Sequence, residues 1–214
     1  MHAAMLCIHM DATPVIVVLA AGLGSRFSGA GHKLAQALGQ TTVLGLTLSN
    51  AIGSGLPVVV VTTQHLLPEV SRLLAGSEIV LVDDVGHSGA LFGMGHSIAA
   101  GVAARPQASG WLILPADMPM VKSATLRAVA NGLAHHPVVF AQHQGRRGHP
   151  VGFSAELYSE LVQLTGDEGA RRITSRYPSY GVEAADAGVL IDIDTPSDLT
   201  NAQRSLTTVE RAER

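Results

Sequence analysis

The chain has 214 residues, 47% of them hydrophobic and 14% charged, so it has ample material for a core and does not read as disordered. Its formal net charge is −3 and no basic stripe alternates with aromatics, which argues against a nucleic-acid partner and confines any phosphate binding to a local site. No apolar run approaches the ~20 residues of a membrane span, and Cys7, the single cysteine, excludes an intramolecular disulfide and fits a reducing, cytoplasmic setting.

Residues 1–12 lack the basic start and apolar core of a secretory leader and read as a loose extension. Short β-branched runs at 15–19, 58–62 and 79–82 predict buried strands, and 111–114, 138–141 and 189–191 extend the series. Between them, 42–52, 66–74, 97–104, 124–134 and 155–164 carry amphipathic helix patterns. Only 4% of the chain is aromatic, so the core must be Val, Leu, Ile and Ala, a mix suited to a parallel sheet buried on both faces. The alternation predicts right-handed crossovers in one α/β domain over 13–204, a mostly parallel sheet in a three-layer α/β/α sandwich. Thr195-Pro-Ser-Asp198 is a helix start: a hydroxyl cap, a proline in the first turn and a carboxylate three residues on, which gives Asp198 a structural role. The polar stretch 205–214 is expected to fray.

From Leu19 to Lys33 the chain reads Leu-Ala-Ala-Gly-Leu-Gly-Ser-Arg-Phe-Ser-Gly-Ala-Gly-His-Lys. A buried strand that empties into a glycine-rich loop with two cations, Arg26 and Lys33, suits a polyphosphate. The glycines let backbone N–H groups approach the anion, and the cations neutralise it. In such sheets ligands sit at the carboxyl ends of the strands, where this loop lies. The only other lysine is Lys122, so Lys33 is not part of a lysine-rich surface. A P-loop would need Gly-Lys followed by Ser or Thr, whereas Lys33 lies between His32 and Leu34. A dinucleotide loop fails too, since Arg26 and Phe27 stand where the helix should pack closely and no acidic residue follows until Glu69.

The ordered motifs resemble nucleotidyltransferases with a nucleotide-diphospho-sugar-transferase-type fold, and more narrowly the molybdenum cofactor cytidylyltransferase and guanylyltransferase group. The resemblance runs from the first loop through Gly93-Met-Gly-His-Ser97, Leu114-Pro-Ala-Asp-Met-Pro119 and Gly145-Arg-Arg-Gly-His-Pro-Val-Gly-Phe153. It continues with Gly166-Asp-Glu-Gly-Ala-Arg171 and Asp192-Ile-Asp-Thr-Pro-Ser-Asp-Leu199. It implies transfer of a nucleoside monophosphate to a phosphorylated acceptor with release of pyrophosphate. The implied acceptor is a molybdopterin, and the product is destined for a molybdenum hydroxylase. The same chemistry on a sugar phosphate or methylerythritol phosphate stays open, as does a nucleotide-binding maturation factor without turnover.

By this resemblance Leu19, Ala20, Ala21, Gly22, Gly24 and Ser25 lie against the nucleotide. Ala20-Ala21-Gly22 follows the cytidylyltransferase pattern, which favours CTP over GTP. Arg26 and Lys33 face the triphosphate and stabilise charge on the leaving pyrophosphate. Asp117, pinned by Pro115 and Pro119, reads either as a turn aspartate or as a ligand of Mg²⁺, and the family pattern selects the ligand. Asp194 is its expected partner in preference to Asp192, the two sharing a face if they lie in a strand. Gly93, Gly95 and Ser97 are placed near base or ribose, with Ser97 equally an ordinary helix cap. Arg147 and His149 read either as acceptor contacts or as a solvated arginine and a turn histidine. The ten histidines show no zinc spacing.

Overall fold

The computed structural model describes residues 13–22, 27, 31–83 and 93–212. The first half contains β1 (Val15–Ala20), a small hairpin of β2 (Ala37–Leu38) and β3 (Thr41–Thr42), α1 (Val43–Ile52), β4 (Val58–Thr62), α2 (Leu67–Val70), β5 (Ile79–Leu81) and α3 (Met94–Ala103). The second half contains β6 (Gly110–Pro115), α4 (Ser123–Gly132), β7 (Val138–His143), β8 (Arg146–Ser154), α5 (Tyr158–Leu161), α6 (Arg171–Arg176), β9 (Ser179–Glu183) and α7 (Pro196–Ala212). Seven strands form one sheet in the order β5-β4-β1-β6-β8-β7-β9. β1 pairs in parallel with β4 and β6, as do β4 with β5 and β7 with β9, and β8 alone runs antiparallel to its neighbours.

The uniformly apolar first strand follows from burial on both faces. Ile16 and Val18 enter a core with Leu44 and Leu48 of α1 and Leu126 and Val129 of α4. Val15 and Val17 point the other way, into a core with Ile98 and Val102 of α3, Leu161 and Ile173. The fold is thus the expected mostly parallel sheet with helices on both faces. At Gly101 a Cβ would lie 2.3 Å from Val17 Cγ1, so α3 rests on the sheet at a distance only glycine permits. Helix α1 starts at Thr42, whose Oγ1 accepts from Gly45 N–H at 3.0 Å, a cap worth about 1 kcal/mol.

Four expected elements differ. Residues 189–191 are not a strand: Ala187–Leu190 is a 3-10 turn with Val189 fully buried. Its bend is set by buried Asp186, which accepts from Gly188 N–H at 3.1 Å, Lys122 N–H at 2.9 Å and the Thr125 hydroxyl at 2.6 Å. The helix expected over 66–74 keeps only Leu67–Val70, and that over 155–164 is a 3-10 turn, Ala155–Leu157, followed by one turn of α5. The tail expected to fray after Arg204 continues as α7 to Ala212, because half-buried Leu206 packs on the core and Gln203 donates to the Ala37 carbonyl at 3.1 Å.

Strands β8 and β9 carry no apolar run that announces them. They form by pairing: Trp111 opposite Phe153 and Val138 opposite Ser179. Among the described residues no helix is long and apolar enough to cross a membrane. The extension 1–12, and Gly24, Ser25 and Arg26 of the glycine-rich loop, lie outside the described residues.

Candidate active site

Asp117 follows the end of β6 in a turn tied to its surroundings through the backbone. Ala116 N–H donates to the Leu19 carbonyl at 3.0 Å, which joins this turn to the end of β1. From α1, the buried Thr47 hydroxyl donates to the Ala116 carbonyl at 2.8 Å and Asn50 Nδ2 to the Pro119 carbonyl at 2.8 Å. The strand ends and one helix therefore fix where the carboxylate stands.

Asp194 arrives from the far end of the chain. Ile193 N–H donates to the Asp117 carbonyl at 2.9 Å, so the two acidic segments are stitched side by side. Thr195 and Asp198 close a reciprocal cap: Asp198 Oδ2 accepts from Thr195 N–H at 2.7 Å, and Thr195 Oγ1 accepts from Asp198 N–H at 3.2 Å. Asp198 also accepts from Asp194 N–H at 3.2 Å, and its bonds from Thr195, the hydroxyl first, hold its carboxyl below the usual range. Asp198 is the structural cap its spacing predicts. The same-face argument for Asp192 and Asp194 fails, because residues 191–194 are not a strand. Asp192 is exposed, while Asp194 is half-buried and faces Asp117 across a lysine.

That lysine is Lys33. Its Nζ donates to Asp117 Oδ2 at 2.6 Å and to Asp194 Oδ1 at 2.7 Å, with the side chain only 11% exposed. Burial alone would depress its ammonium, but the charges and hydrogen bonds of the two carboxylates outweigh burial and raise it. The backbone under Lys33 is set by His32, a residue the motif reading passes over. His32 Nδ1 accepts from Leu34 N–H at 3.2 Å and Nε2 lies 3.0 Å from the Gly22 carbonyl. A neutral imidazole protonated on Nε2 satisfies both contacts and ties the two ends of the glycine-rich loop together. Its position beside Lys33 in Gly-His-Lys is the signal that was present.

The donor set fits a magnesium-type cation. Such an ion is held through one or two carboxylates with phosphates completing its oxygens. Here two carboxylates already share one cation, and Asp117 Oδ1 is buried without a hydrogen-bond partner among the described residues. Among those residues no group of three or more His, Cys, Asp or Glu forms a closed metal site.

The remaining predicted positions divide. Ala20 is fully buried in the core, and the Leu19 carbonyl accepts from Ala116 N–H. Ala21 is half-buried and Gly22 exposed at the loop mouth. Ser97 is not a cap: α3 begins at Met94 with Gly93 as N-cap, and Ser97 is buried within the first turn. Gly93 and Gly95 have a packing reason for being glycine. A Cβ on Gly93 would lie 2.2 Å from the Gly166 carbonyl oxygen, and Gly95 N–H donates to that oxygen at 2.8 Å. His96 Nδ1 accepts from Gly166 N–H at 3.2 Å, so the start of α3 grips Gly166 through both its N–H and its carbonyl.

That loop walls a cavity of about 490 Å³ that is also lined by β8. Met94, Ile98, Ile113 and Phe153 supply apolar surface, and Asp167, Glu168 and Arg171 supply charge. Arg147 and His149 line it as well, so the structure brings both to one pocket. They stand on a strand, not in a turn. The Arg147 guanidinium lies 4.4 Å from the centre of the Phe140 ring. Half-buried His149 is held below its ordinary range by burial, opposed by the charge of Asp117, and its Nδ1 has no hydrogen-bond partner among the described residues. Ile113 of the cavity wall lies on β6, the strand whose end leads to Asp117.

Residues 16–180 match the MobA-like NTP transferase domain, and the chain belongs to that family. It is a nucleotidyltransferase. It is 25% identical over 193 residues to the molybdenum cofactor cytidylyltransferase of Escherichia coli, covering 90% of this chain and 97% of that protein. It is 36% identical over 119 residues to the purine catabolism protein PucB of Bacillus subtilis, covering 53% of this chain and 58% of that one. Among solved structures it is similar to Rv0371c of Mycobacterium tuberculosis, with a TM-score of 0.76, 27% identity, and coverage of 90% and 98% of the two chains. Rv0371c has also been solved as a complex with manganese.

Proposed function

We propose that this nucleotidyltransferase moves CMP from CTP to the terminal phosphate of a molybdopterin-type acceptor and releases pyrophosphate. The observation that carries the reading is the Lys33–Asp117–Asp194 cluster at the strand ends, set beside a cavity with apolar walls and two arginines. The match to the E. coli cytidylyltransferase over nearly its whole length supports the choice of acceptor, and Ala21 supports CTP over GTP.

An acceptor phosphate oxygen attacks the α-phosphorus in line, the bond to the β-phosphate oxygen breaks, and pyrophosphate departs. No general base is needed, because a phosphate monoester with a second pKa of ~6 is mostly dianionic at neutral pH. Arg26 and Lys33 offset charge on the departing pyrophosphate, and Arg147 and His149 orient the acceptor. Asp117 and Asp194 would hold Mg²⁺, whose contribution is to neutralise the two phosphate groups so that they can approach. A molybdenum hydroxylase apoprotein is the proposed receiver of the product, and the lone cysteine supports a cytoplasmic setting.

Pyrophosphate release, measured with each of the four nucleoside triphosphates, Mg²⁺ and molybdopterin, tests the reading. Release that requires both CTP and molybdopterin is the expected result. Release with GTP, or with a sugar phosphate in place of molybdopterin, would move the assignment within the family's chemistry. Binding without release would make the chain a maturation factor.

A further inference from the structure

Lys33 stands where a metal ion shared by Asp117 and Asp194 would stand. Its Nζ bridges one oxygen of each at 2.6 and 2.7 Å, and Mg²⁺ binds such oxygens at about 2.1 Å, so the two cations cannot both occupy the gap. We propose that Lys33 makes the carboxylate site accept its divalent cation only together with the triphosphate and exclude the free ion. The proposal rests on reading Asp117 and Asp194 as the metal-binding pair.

To leave the gap, the ammonium must abandon two charge-assisted bonds in a site that is mostly shielded from water, where an unpaired charge is costly. Bulk water is a poor substitute for that pair of carboxylates. Triphosphate oxygens are a good one, since they offer the same charge-assisted geometry. His32 bonds Leu34 N–H just after Lys33 and contacts the Gly22 carbonyl, and Gln36 N–H donates to the Lys33 carbonyl, so the change falls on the four-carbon side chain rather than on its backbone. Lys33 thus does two jobs in sequence: it holds the acidic residues together before substrate arrives, then transfers to the triphosphate and vacates the gap. By linkage, whatever draws Lys33 away raises metal affinity, and metal raises nucleotide affinity by the same factor.

The test measures Mn²⁺ binding to the full chain from the loss of the free-ion EPR signal, without any turnover. In the absence of nucleotide, Lys33→Met is expected to bind Mn²⁺ at least tenfold more tightly than wild type. In wild type, a non-hydrolysable CTP analogue is expected to tighten Mn²⁺ by a similar factor. Lys33→Gln, measured alongside with a thermal melt of each variant, keeps a folding defect in one from deciding the result. Equal or weaker Mn²⁺ binding by folded Lys33 variants overturns the proposal, as does a wild-type affinity that the analogue leaves unchanged. Asp117→Asn in the Lys33→Met background separates the two readings. If it abolishes Mn²⁺ binding, the acidic pair is the metal site whatever Lys33 does; if it has no effect, the metal assignment itself is wrong.

Discussion

The carboxylate end of the cleft and the cavity beside it satisfy their polar groups in opposite ways. Asp117 and Asp194 share one lysine at 2.6 and 2.7 Å, and their segments are bonded to each other and to the end of β1. In the cavity, Arg147 and Arg171 have no carboxylate in ion-pair range among the described residues, and His149 keeps a buried nitrogen without a partner. A region that answers its own charges is pre-organised, which suits the triphosphate half of the proposed reaction. Both arginines are exposed to water, so only the buried His149 nitrogen carries a desolvation cost that a ligand would relieve, which suits the acceptor half of the proposed reaction. On the proposed function, the triphosphate is handled in the first region and the acceptor in the second.

The comparison breaks most sharply at Asp117. Asp117→Ala is expected to lower pyrophosphate release about a thousandfold, the scale for losing a group that stabilises developing charge, while acceptor binding changes little. Full activity in that variant would remove the carboxylate end from the chemistry. Next in size is Gly93→Ala, whose new Cβ would stand 2.2 Å from the Gly166 carbonyl and push the cavity wall. Overpacking of this kind costs about 1–3 kcal/mol, so the acceptor KM should rise about tenfold while Mn²⁺ affinity stays at the wild-type value. A change in Mn²⁺ affinity instead would show that the two regions are not separable.

His149→Gln probes the cavity more gently, with an expected rise of about fivefold in acceptor KM, the scale of one neutral hydrogen bond, and no change in the KM for CTP. The same residue gives a pH signature. Because burial depresses its folded-state pKa below the unfolded 6.5, the unfolded chain binds the proton first as pH falls. Stability should therefore drop as pH falls below 6.5 and level off beneath the folded value, and His149→Gln should flatten that slope in urea melts. The smallest effect is expected at Ala21. Ala21→Gly should shift the ratio of CTP to GTP use by only about two- to fivefold toward GTP, since one methyl in a binding pocket discriminates weakly.

Much of this architecture was legible because buried parallel strands write themselves as apolar runs: β4 spans Val58–Thr62, the residues its run marks out. Strands β8 and β9 were hidden for the same reason inverted, since arginine, glycine, histidine and tyrosine on a half-exposed flank leave no such run. Val189, apolar and fully buried, misled because burial does not distinguish a turn from a strand. The packing of Gly93 and Gly95 against residues 165–167 was hidden because that contact spans some seventy positions.

The amino-acid order alone determined the layered sheet, the glycine-rich loop and the residue types expected to meet a phosphate, because periodicity and loop chemistry are local. Only the tertiary structure decided that one lysine spans Asp117 and Asp194, and that Arg147 and His149 share a cavity with the Gly166 loop. Those are meetings between distant segments, set by strand order and backbone stitching, and no spacing along the chain encodes them.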